Sequence, residues 1–245
     1  MGVFGTSRRS SYVLGLVLFA VTLALLAFAM MLNRAHRQRI AVAAICEMGG
    51  TVRYEYEVDS DGCWLRDAEP PSYWGLTSWL GKDLFCGVRS VEFPNDVTDD
   101  EVARLLDVRS VREVNLAYCY DISDDAVAYV AKMPNLRDLD LYRNDPSENF
   151  NWAPEDYDLK TQGRITDTSL EYLSRSKTLE DLGLWDNDFT DLGLDYLANL
   201  KSLRKVDARS PRFTQAGIDR FKKALPNAKV SVDIRPLVVP PPASP

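Results

Sequence analysis

Apolar residues recur along residues 88–233 in two alternating patterns. In the first pattern an apolar side chain returns every third residue, which is typical of one face of a short helix. In the second pattern apolar and polar residues alternate over a few positions, which is typical of a strand. The first occurs at Leu194, Leu197, Leu200 and Leu203, and the second at Leu179, Leu182 and Leu184. The chain is therefore predicted to alternate short helices with short strands.

The two patterns repeat together as one unit. Five stretches open with an apolar residue followed by Ser or Thr, and in four of them the third residue is Asp. They start at Val97, Ile122, Ile165, Phe189 and Phe213, mostly 24 or 25 residues apart. This period indicates a solenoid of stacked repeats. We predict that the Ser or Thr caps each helix, and that Asp is favourable in the first turn because the helix N-terminus attracts negative charge.

Each repeat is predicted to add one strand and one helix. The sequence therefore predicts an α/β fold, a right-handed solenoid with short parallel strands on its concave side and helices on its convex side. Six parallel strands are expected. Their inward-facing apolar residues are Val88, Val91 and Phe93; Val111, Val114 and Leu116; Leu136, Leu139 and Leu141; Leu179, Leu182 and Leu184; Leu203, Val206 and Ala208; and Val230 and Val232.

The repeats, over about residues 84–233, resemble leucine-rich repeats of the cysteine-containing and ribonuclease-inhibitor-like classes. The motif Leu136-x-x-Leu139-x-Leu141-x-x-Asn144 carries this resemblance. The N-terminal part resembles bacterial membrane-anchored leucine-rich-repeat proteins of unassigned function. In those proteins an anchor and a basic helix are followed by a Gly-Gly-x-Val-x-Tyr-x-Tyr strand and a Trp-Leu segment. Here the basic helix corresponds to residues 33–48, the strand to residues 49–56 and the Trp-Leu segment to residues 79–85.

Four regions follow from these patterns. Residues 1–40 are predicted to form an anchor with basic flanks, and residues 41–87 a cap over the open end of the repeats, which such stacks need for solubility. Residues 88–233 form the repeats, interrupted by an insertion at 146–164. Residues 234–245, which are rich in proline, are predicted to be a flexible tail.

Cys119 is predicted to have a structural role. It follows its strand in the same register as Asn144 and Asn187 follow theirs. At this position the side chain helps to satisfy the backbone of the turn.

The apolar run of residues 12–32 precedes the repeats and contains no charged residue. At about 1.5 Å per helical residue, it reaches across a bilayer core about 30 Å thick. A cleaved signal peptide is the alternative, because Arg8 and Arg9 form a basic n-region and residues 27–29 resemble a cleavage site. Since the run exceeds the usual apolar region of about 7–15 residues in signal peptides, the sequence favours a single-pass membrane anchor.

Charge is distributed unevenly along the chain. No acidic residue lies in the first forty positions, and the remaining 205 residues carry 24 basic and 36 acidic side chains. Such an acidic body excludes nucleic acid as a partner, because phosphates require a cationic surface. Basic residues are nearly balanced on the two sides of the apolar run, so they do not set its orientation. The four cysteines have no paired spacing, which is typical of a reducing compartment and favours a cytoplasmic body.

Between the inward-facing apolar residues of each strand lie residues that should point to the concave surface. They form an acidic strip flanked by two aromatic residues. Aromatic anchors and desolvated charges dominate protein interfaces, so we predict that this strip binds a basic protein partner. The candidate binding residues on the strands are Glu113, Asp138, Asp140, Asp181 and Asp207, with Tyr142 and Trp185 beside them.

The insertion at residues 146–164 is a second candidate for binding. It shows no repeat pattern, and it contains Phe150, Trp152, Tyr157 and several acidic residues. Insertions in solenoids emerge as loops on one face, often the binding face, so Trp152 joins the candidate binding residues. A spacer without a binding role is the alternative.

The sequence as a whole predicts a membrane-tethered, non-catalytic scaffold for protein–protein interaction, with no cofactor, metal or small-molecule substrate. The repeats also resemble those of substrate-recognition subunits in eukaryotic ubiquitin ligases, although no F-box-like helical module precedes them. A cation-binding protein or an enzyme that uses Asp138, Asp140 and Asp181 is a further alternative. These carboxylates have no basic or nucleophilic companion, and the single histidine, His36, lies beside the apolar run.

Overall fold

One long helix opens the part of the chain that the structure describes. In the computed structural model, which describes residues 6–59, 63–73, 75–142, 165–185, 187 and 189–234, helix α1 spans Thr6–Glu47 without a break. Its apolar run is exposed, and its length and hydropathy suffice to cross a membrane, as those of an N-terminal signal sequence also would. No break falls at residue 40, where the anchor was predicted to meet the cap.

The last turns of α1 pack against the body of the protein. Ala41 and Ile45 are buried in the hydrophobic core. The buried Gln38 amide donates hydrogen bonds to the backbone carbonyl of Cys86, at 3.0 Å, and to the carboxylate of Asp83, at 3.2 Å. Shortly after the helix ends, Gly49 adopts a φ of +94°, in the left-handed region that glycine tolerates. The apolar segment is therefore continuous with a helix end that is built into the core.

Within the described residues, seven strands form a single sheet in chain order. They are β1 (Thr51–Tyr54), β2 (Val88–Glu92), β3 (Glu113–Asn115), β4 (Asp138–Asp140), β5 (Asp181–Trp185), β6 (Lys205–Ser210) and β7 (Lys229–Ile234). Strands β2 to β7 are parallel, as the repeat pattern predicted. Strand β1 pairs antiparallel with β2, and so covers the first edge of the parallel strands.

Short helices lie between the strands: α2 is Leu76–Leu80, α3 is Asp99–Val102, α4 is Asp124–Val130, α5 is Asp167–Leu173, α6 is Asp191–Leu197 and α7 is Gln215–Ala224. Helices α3 to α7 connect the parallel strands, and α2 lies between β1 and β2. Turns of 3-10 helix lie at Glu55–Glu57, Lys82–Leu84 and Ala103–Asp107. One of the helices α3 to α7 lies between each successive pair of parallel strands, and each packs against the next. The protein is an α/β protein in which strand and helix alternate.

The core lies between the sheet and the layer of helices. Leu139, Leu182 and Val206 occupy equivalent positions on β4, β5 and β6, and none is more than 2% exposed. The apolar residues at three-residue spacing on the helices, such as Leu194 and Leu197, are fully buried against them. Both predicted periodicities therefore face the same core, which runs from the end of α1 to β7.

Hydroxyl side chains cap the helices as predicted. Ser123, Thr166, Thr190 and Thr214 each accept a hydrogen bond from a backbone N–H in the first turn of the helix that follows. Thr98 instead forms a reciprocal capping box with Glu101 at the start of α3. These caps satisfy N–H groups that have no partner within their own helix.

The aspartate that follows each cap connects one helix to the next. The carboxylate of Asp167 in α5 accepts hydrogen bonds from the backbone N–H of Thr190, at 2.9 Å, and from its hydroxyl group. Equivalent pairs join Asp99 to Ser123, Asp124 to Thr166 and Asp191 to Thr214. The repeat pattern assigned these aspartates only to their own helix, whereas the structure also gives them this bridging contact, which we call the aspartate ladder.

The aspartate ladder explains two further features of the sequence. The equivalent position in α7 is Gln215, and no described helix follows α7 for a carboxylate to bind. A β-carbon at Gly193 would lie 2.5 Å from the nearer carboxylate oxygen of Asp167, and at Gly217 it would meet Asp191 at 2.2 Å. The positions of Gly193 and Gly217 therefore require a small residue, because each lies directly against an aspartate of the ladder.

Buried side chains satisfy the turns that follow two of the strands. The amide of Asn187 donates hydrogen bonds to the carbonyls of Leu141, at 2.6 Å, and Trp185, at 3.1 Å. The thiol of Cys119 donates to the carbonyl of Pro94, at 3.4 Å. Burial, reinforced by the negative charge of Asp96, raises the pKa of Cys119 to about 12, so the thiol stays protonated. This geometry agrees with the structural role predicted for Cys119; Asn144 lies outside the described residues.

Candidate functional site

The polar face of the sheet, opposite the helices, carries the predicted binding residues. Strand pairing aligns them in rows across the sheet. The first row is Glu113, Asp138, Asp181 and Lys205, and the second is Asn115, Asp140, Gly183 and Asp207. In a third row Trp185 pairs with Arg209, and Tyr142 lies two residues after Asp140, on the same side as Trp185. We call the five acidic residues of the first two rows the acidic strip. The structure thus places seven of the eight predicted residues on one face.

Asp138 lies at the centre of the first row, between Glu113 and Asp181. Glu113 is neutralised by Arg89, whose guanidinium lies 2.8 Å from its carboxylate. Among the described residues, none donates a hydrogen bond to the Asp138 carboxylate. Loss of hydration and the negative charges of Asp181, Glu113 and Asp140 raise its pKa to about 6, against the opposing effect of Lys205. Among the described residues, the Asp138 carboxylate has no ion pair, and Lys205 only partly offsets the negative charges around it.

The second row makes room for two large side chains. A β-carbon at Gly183 would lie 2.9 Å from a carboxylate oxygen of Asp140 and 3.4 Å from the ring of Tyr142. The absence of a side chain there lets both residues lie over β5. Asp140 accepts a hydrogen bond from the backbone N–H of Tyr142, at 3.1 Å. Loss of hydration raises the pKa of Asp140, although this hydrogen bond and Lys205 oppose the shift.

Asp207 joins the two aromatic residues into one cluster. The indole N–H of Trp185 donates to one oxygen of its carboxylate, at 2.7 Å, and the hydroxyl of Tyr142 donates to the other, at 3.4 Å. The two rings meet edge to face, with centroids 5.2 Å apart. The guanidinium of Arg209 lies 4.1 Å from the centroid of the Trp185 ring. We call these four residues the aromatic cluster.

The cluster is held in a defined conformation by contacts among its own side chains. Burial and the neighbouring carboxylates of Asp207 and Asp140 raise the pKa of Tyr142 to about 12, so its hydroxyl remains a hydrogen-bond donor at neutral pH. Strand alternation gives Arg209 the same outward register as Tyr142 and Trp185, but Arg209 was not among the predicted binding residues. The signal was available, because Arg209 occupies the same outward position on its strand as Trp185 on the preceding one.

The remaining predicted residue, Trp152, lies outside the described residues, as does the whole insertion at 146–164. Within the part of the chain that the structure describes, no group of three or more His, Cys, Asp or Glu side chains could hold a metal ion. The carboxylates of the acidic strip come from four strands, β3 to β6, and neighbouring strands lie about 4.8 Å apart.

No protein-family model matches the chain. No curated protein matches it at a significant level. Its class is defined by its structure: it is an α/β protein with a seven-stranded, mostly parallel sheet, a polar face that carries the acidic strip, and one long apolar helix at the N-terminus.

The raised pKa of Asp138 predicts a pH-dependent effect of Asp138→Asn. Because the pKa of Asp138 rises on folding, its ionised form destabilises the folded state. This destabilisation is absent below about pH 4, where the carboxyl group is protonated in both states. It grows as the pH rises through about 6 and is complete by about pH 7. After allowance for solvent screening, we expect the variant to be more stable than wild type by about 1 kcal/mol at pH 7.5 and equally stable at pH 4. Urea unfolding of the full-length protein in detergent measures both values.

The matched control for this experiment is Asp125→Asn, which removes an exposed carboxylate from α4, away from the acidic strip. Its effect on stability should be small at both pH values. A gain in stability for Asp138→Asn that does not change between pH 4 and pH 7.5 would contradict the predicted electrostatic origin.

Proposed function

We propose that this protein is a membrane-tethered scaffold of the leucine-rich-repeat type, which binds a basic protein partner on the polar face of its sheet and has no catalytic role. The observation that carries the proposal is the row of carboxylates beside the aromatic cluster, centred on Asp138, which forms no ion pair with any residue that the structure describes. The three parts of the proposal are the solenoid, the anchor and the binding face.

The alternation of strand and helix supports a curved solenoid. Neighbouring strands lie about 4.8 Å apart, whereas packed helices need about 8–10 Å between their axes. Because each parallel strand is joined to the next through one helix, the helical layer must be longer than the sheet, and the stack bends with the strands inside. The aspartate ladder and the buried turn side chains recur from unit to unit, as expected of stacked repeats.

The continuous helix α1 supports a tether. Its exposed apolar segment suits a bilayer, and its last turns are part of the core, so the body is held directly at the membrane surface.

A cytoplasmic body is supported by the cysteines. Cys46, Cys63, Cys86 and Cys119 are all free thiols in the structure, and free thiols are typical of a reducing compartment.

The acidic strip and the aromatic cluster support a protein partner. Charges that point into a concave surface raise the rate of association with a partner of opposite charge. An aromatic cluster that is fixed in advance loses little conformational entropy on binding, and residues of this type dominate the energetics of interfaces. The two features together suit a basic partner that is attracted by the strip and held by Trp185.

Two variants should separate the effect of the acidic strip on the association rate from the effect of Trp185 on the dissociation rate. Asp138→Lys with Asp140→Lys should lower the association rate at least tenfold at low salt, because it reverses two charges at the centre of the strip. Trp185→Ala should instead raise the dissociation rate, because it removes the central ring of the aromatic cluster. Proteins cross-linked to the full-length chain in its own membrane would be purified and measured against each variant by surface plasmon resonance at two salt concentrations.

The matched control is Asp100→Lys with Asp125→Lys, which changes the net charge equally on the helical side of the protein. It should leave association nearly unchanged. If the control slows association as much as the strip variant does, only the net charge attracts the partner. If both site variants bind like wild type, the polar face is not the binding site.

A carboxylate-based cation binder or enzyme is the second candidate. The observation that favours it is the pKa of Asp138, which at about 6 suits a general acid near neutral pH. Calorimetric titration of the full-length protein with Mg²⁺ and Ca²⁺ tests the cation-binding form of this candidate. Tight binding that disappears in Asp138→Asn with Asp140→Asn would favour it over the scaffold.

A further inference from the structure

A cleft lies where α1 emerges from its apolar segment. Its volume is about 220 Å³, and it is formed between the helix and the segment that follows α3. Arg34 and Arg37 line it from the helix, and Asp107 and Arg109 line it from the other side. A second cleft adjoins it, shares Arg37 and Arg109, and adds Lys132. Basic side chains from separate parts of the chain therefore meet at this point.

The cleft has more positive charge than the protein neutralises. Arg37 pairs with Asp107 across the cleft. Among the described residues, neither Arg34 nor Arg109 forms an ion pair, and both side chains are exposed. Two guanidinium groups are thus available to an anion. A guanidinium binds phosphate through two parallel hydrogen bonds, which makes phosphate a well-matched ligand.

The position of the cleft along α1 indicates where that phosphate comes from. The apolar run ends at Leu32. The headgroup layer of a bilayer adds about 5–7 Å beyond the hydrocarbon on each side, and a helix rises about 1.5 Å per residue. The layer therefore covers about residues 33–37, which contain Arg34 and Arg37, the two arginines of α1 that line the cleft. Met30, on the other side of Leu32, lines the cleft toward the hydrocarbon.

We infer that this cleft binds the phosphate group of an anionic phospholipid, with the acyl chains of the lipid along the exposed apolar face of α1. Arg34 and Arg109 bind the phosphate, and Asp107 holds Arg37 beside them. A lipid bound to both the helix and the segment after α3 fixes the angle of the body to the membrane, and with it the direction in which the polar face points. The inference rests on the membrane anchor in the proposed function.

Native mass spectrometry of the full-length protein in detergent tests this inference. The protein is incubated with equal amounts of phosphatidylglycerol and phosphatidylcholine that have the same acyl chains, and the ratio of the two bound lipids is measured. Wild type should prefer phosphatidylglycerol. Each basic group near an anionic lipid strengthens attraction about fivefold, so Arg34→Gln with Arg109→Gln should lower the ratio about 25-fold.

The matched control is Arg39→Gln with Arg104→Gln. It removes the same charge from the same helix and from the segment that contains Arg109, but neither residue lines the cleft. Circular dichroism checks that both double variants are folded. A fall in the ratio that is confined to the cleft variant supports the inference, whereas equal falls in both variants, or no fall in either, overturn it.

Two further outcomes distinguish a bound lipid from a soluble phosphate and test the anchor on which the lipid depends. If glycerol 3-phosphate, which carries a phosphate without acyl chains, binds wild type as tightly as the lipid does, the cleft is a site for soluble phosphates and the inference is overturned. If alkaline carbonate extracts the wild-type chain from membranes, the anchor itself is wrong, and the proposed function fails with it. A chain that stays in the membrane but shows no preference for phosphatidylglycerol overturns only the lipid cleft.

Discussion

Leu182→Ala should lower the free energy of unfolding by about 2–5 kcal/mol. Leu182 is 2% exposed and is the second residue of β5, paired between Leu139 of β4 and Val206 of β6. Its removal takes apolar atoms from the core and leaves a cavity between two adjacent repeats, which the short strands on either side cannot fill. Urea unfolding of the full-length protein in detergent, followed by far-ultraviolet circular dichroism, measures the change.

The control for this variant is Leu192→Ala. Leu192 lies in the helix that follows β5, but its side chain is 53% exposed. The same chemical change there should cost less than about 0.5 kcal/mol. A Leu182→Ala protein that unfolds at the same urea concentration as wild type would mean that β5 is out of register by one residue, with Leu182 on the polar face.

Asp124→Ala should lower the free energy of unfolding by about 2–4 kcal/mol. The Asp124 carboxylate accepts hydrogen bonds from the backbone N–H and the hydroxyl of Thr166, at 2.8 and 2.6 Å, and a third from the hydroxyl of Ser169. Ser169 is fully buried, and Thr166 is partly buried. Without the carboxylate, a buried donor and an N–H group at the start of α5 lose their partner, which costs about 1–3 kcal/mol for each group.

Asp125→Ala separates this contact from the general effect of negative charge at a helix N-terminus. Asp125 is the next residue in the same first turn of α4, and its side chain is exposed. Both variants lose the interaction with the helix dipole, which is worth about 0.3–1 kcal/mol, but only Asp124→Ala breaks the aspartate ladder. Equal losses of stability for the two variants would show that the ladder contributes nothing beyond that dipole interaction.

The aspartate ladder also marks the limit of what a local pattern predicts. A repeated Ser/Thr-Asp pair predicted the helix starts, because capping depends only on the residues of one turn. The pair Asp124 and Thr166 could not be recognised in this way. Its members are separated by the insertion, and they meet only because α4 and α5 pack side by side.

The polar face likewise has features that the local pattern predicted and features that it did not. Alternation along each strand predicted that Asp138, Asp181 and Trp185 share one face, because successive side chains of a strand point to opposite sides. It did not predict how those side chains interact. Trp185 was expected as an anchor at the edge of the strip. The structure shows that its indole N–H donates a hydrogen bond to Asp207 and that the guanidinium of Arg209 lies over its ring.

The sequence by itself determined the alternation of short helices and strands, the buried face of each, and the position of the long apolar helix. These properties depend on residues that are close along the chain and on a period that repeats. Only the tertiary structure decided that β1 pairs antiparallel with β2, that Asp207 links Tyr142 to Trp185, and that Arg34 and Arg109 line one cleft. The physical reason is that each of these contacts joins segments far apart in sequence, and no local pattern records which residues face one another once the layers have packed.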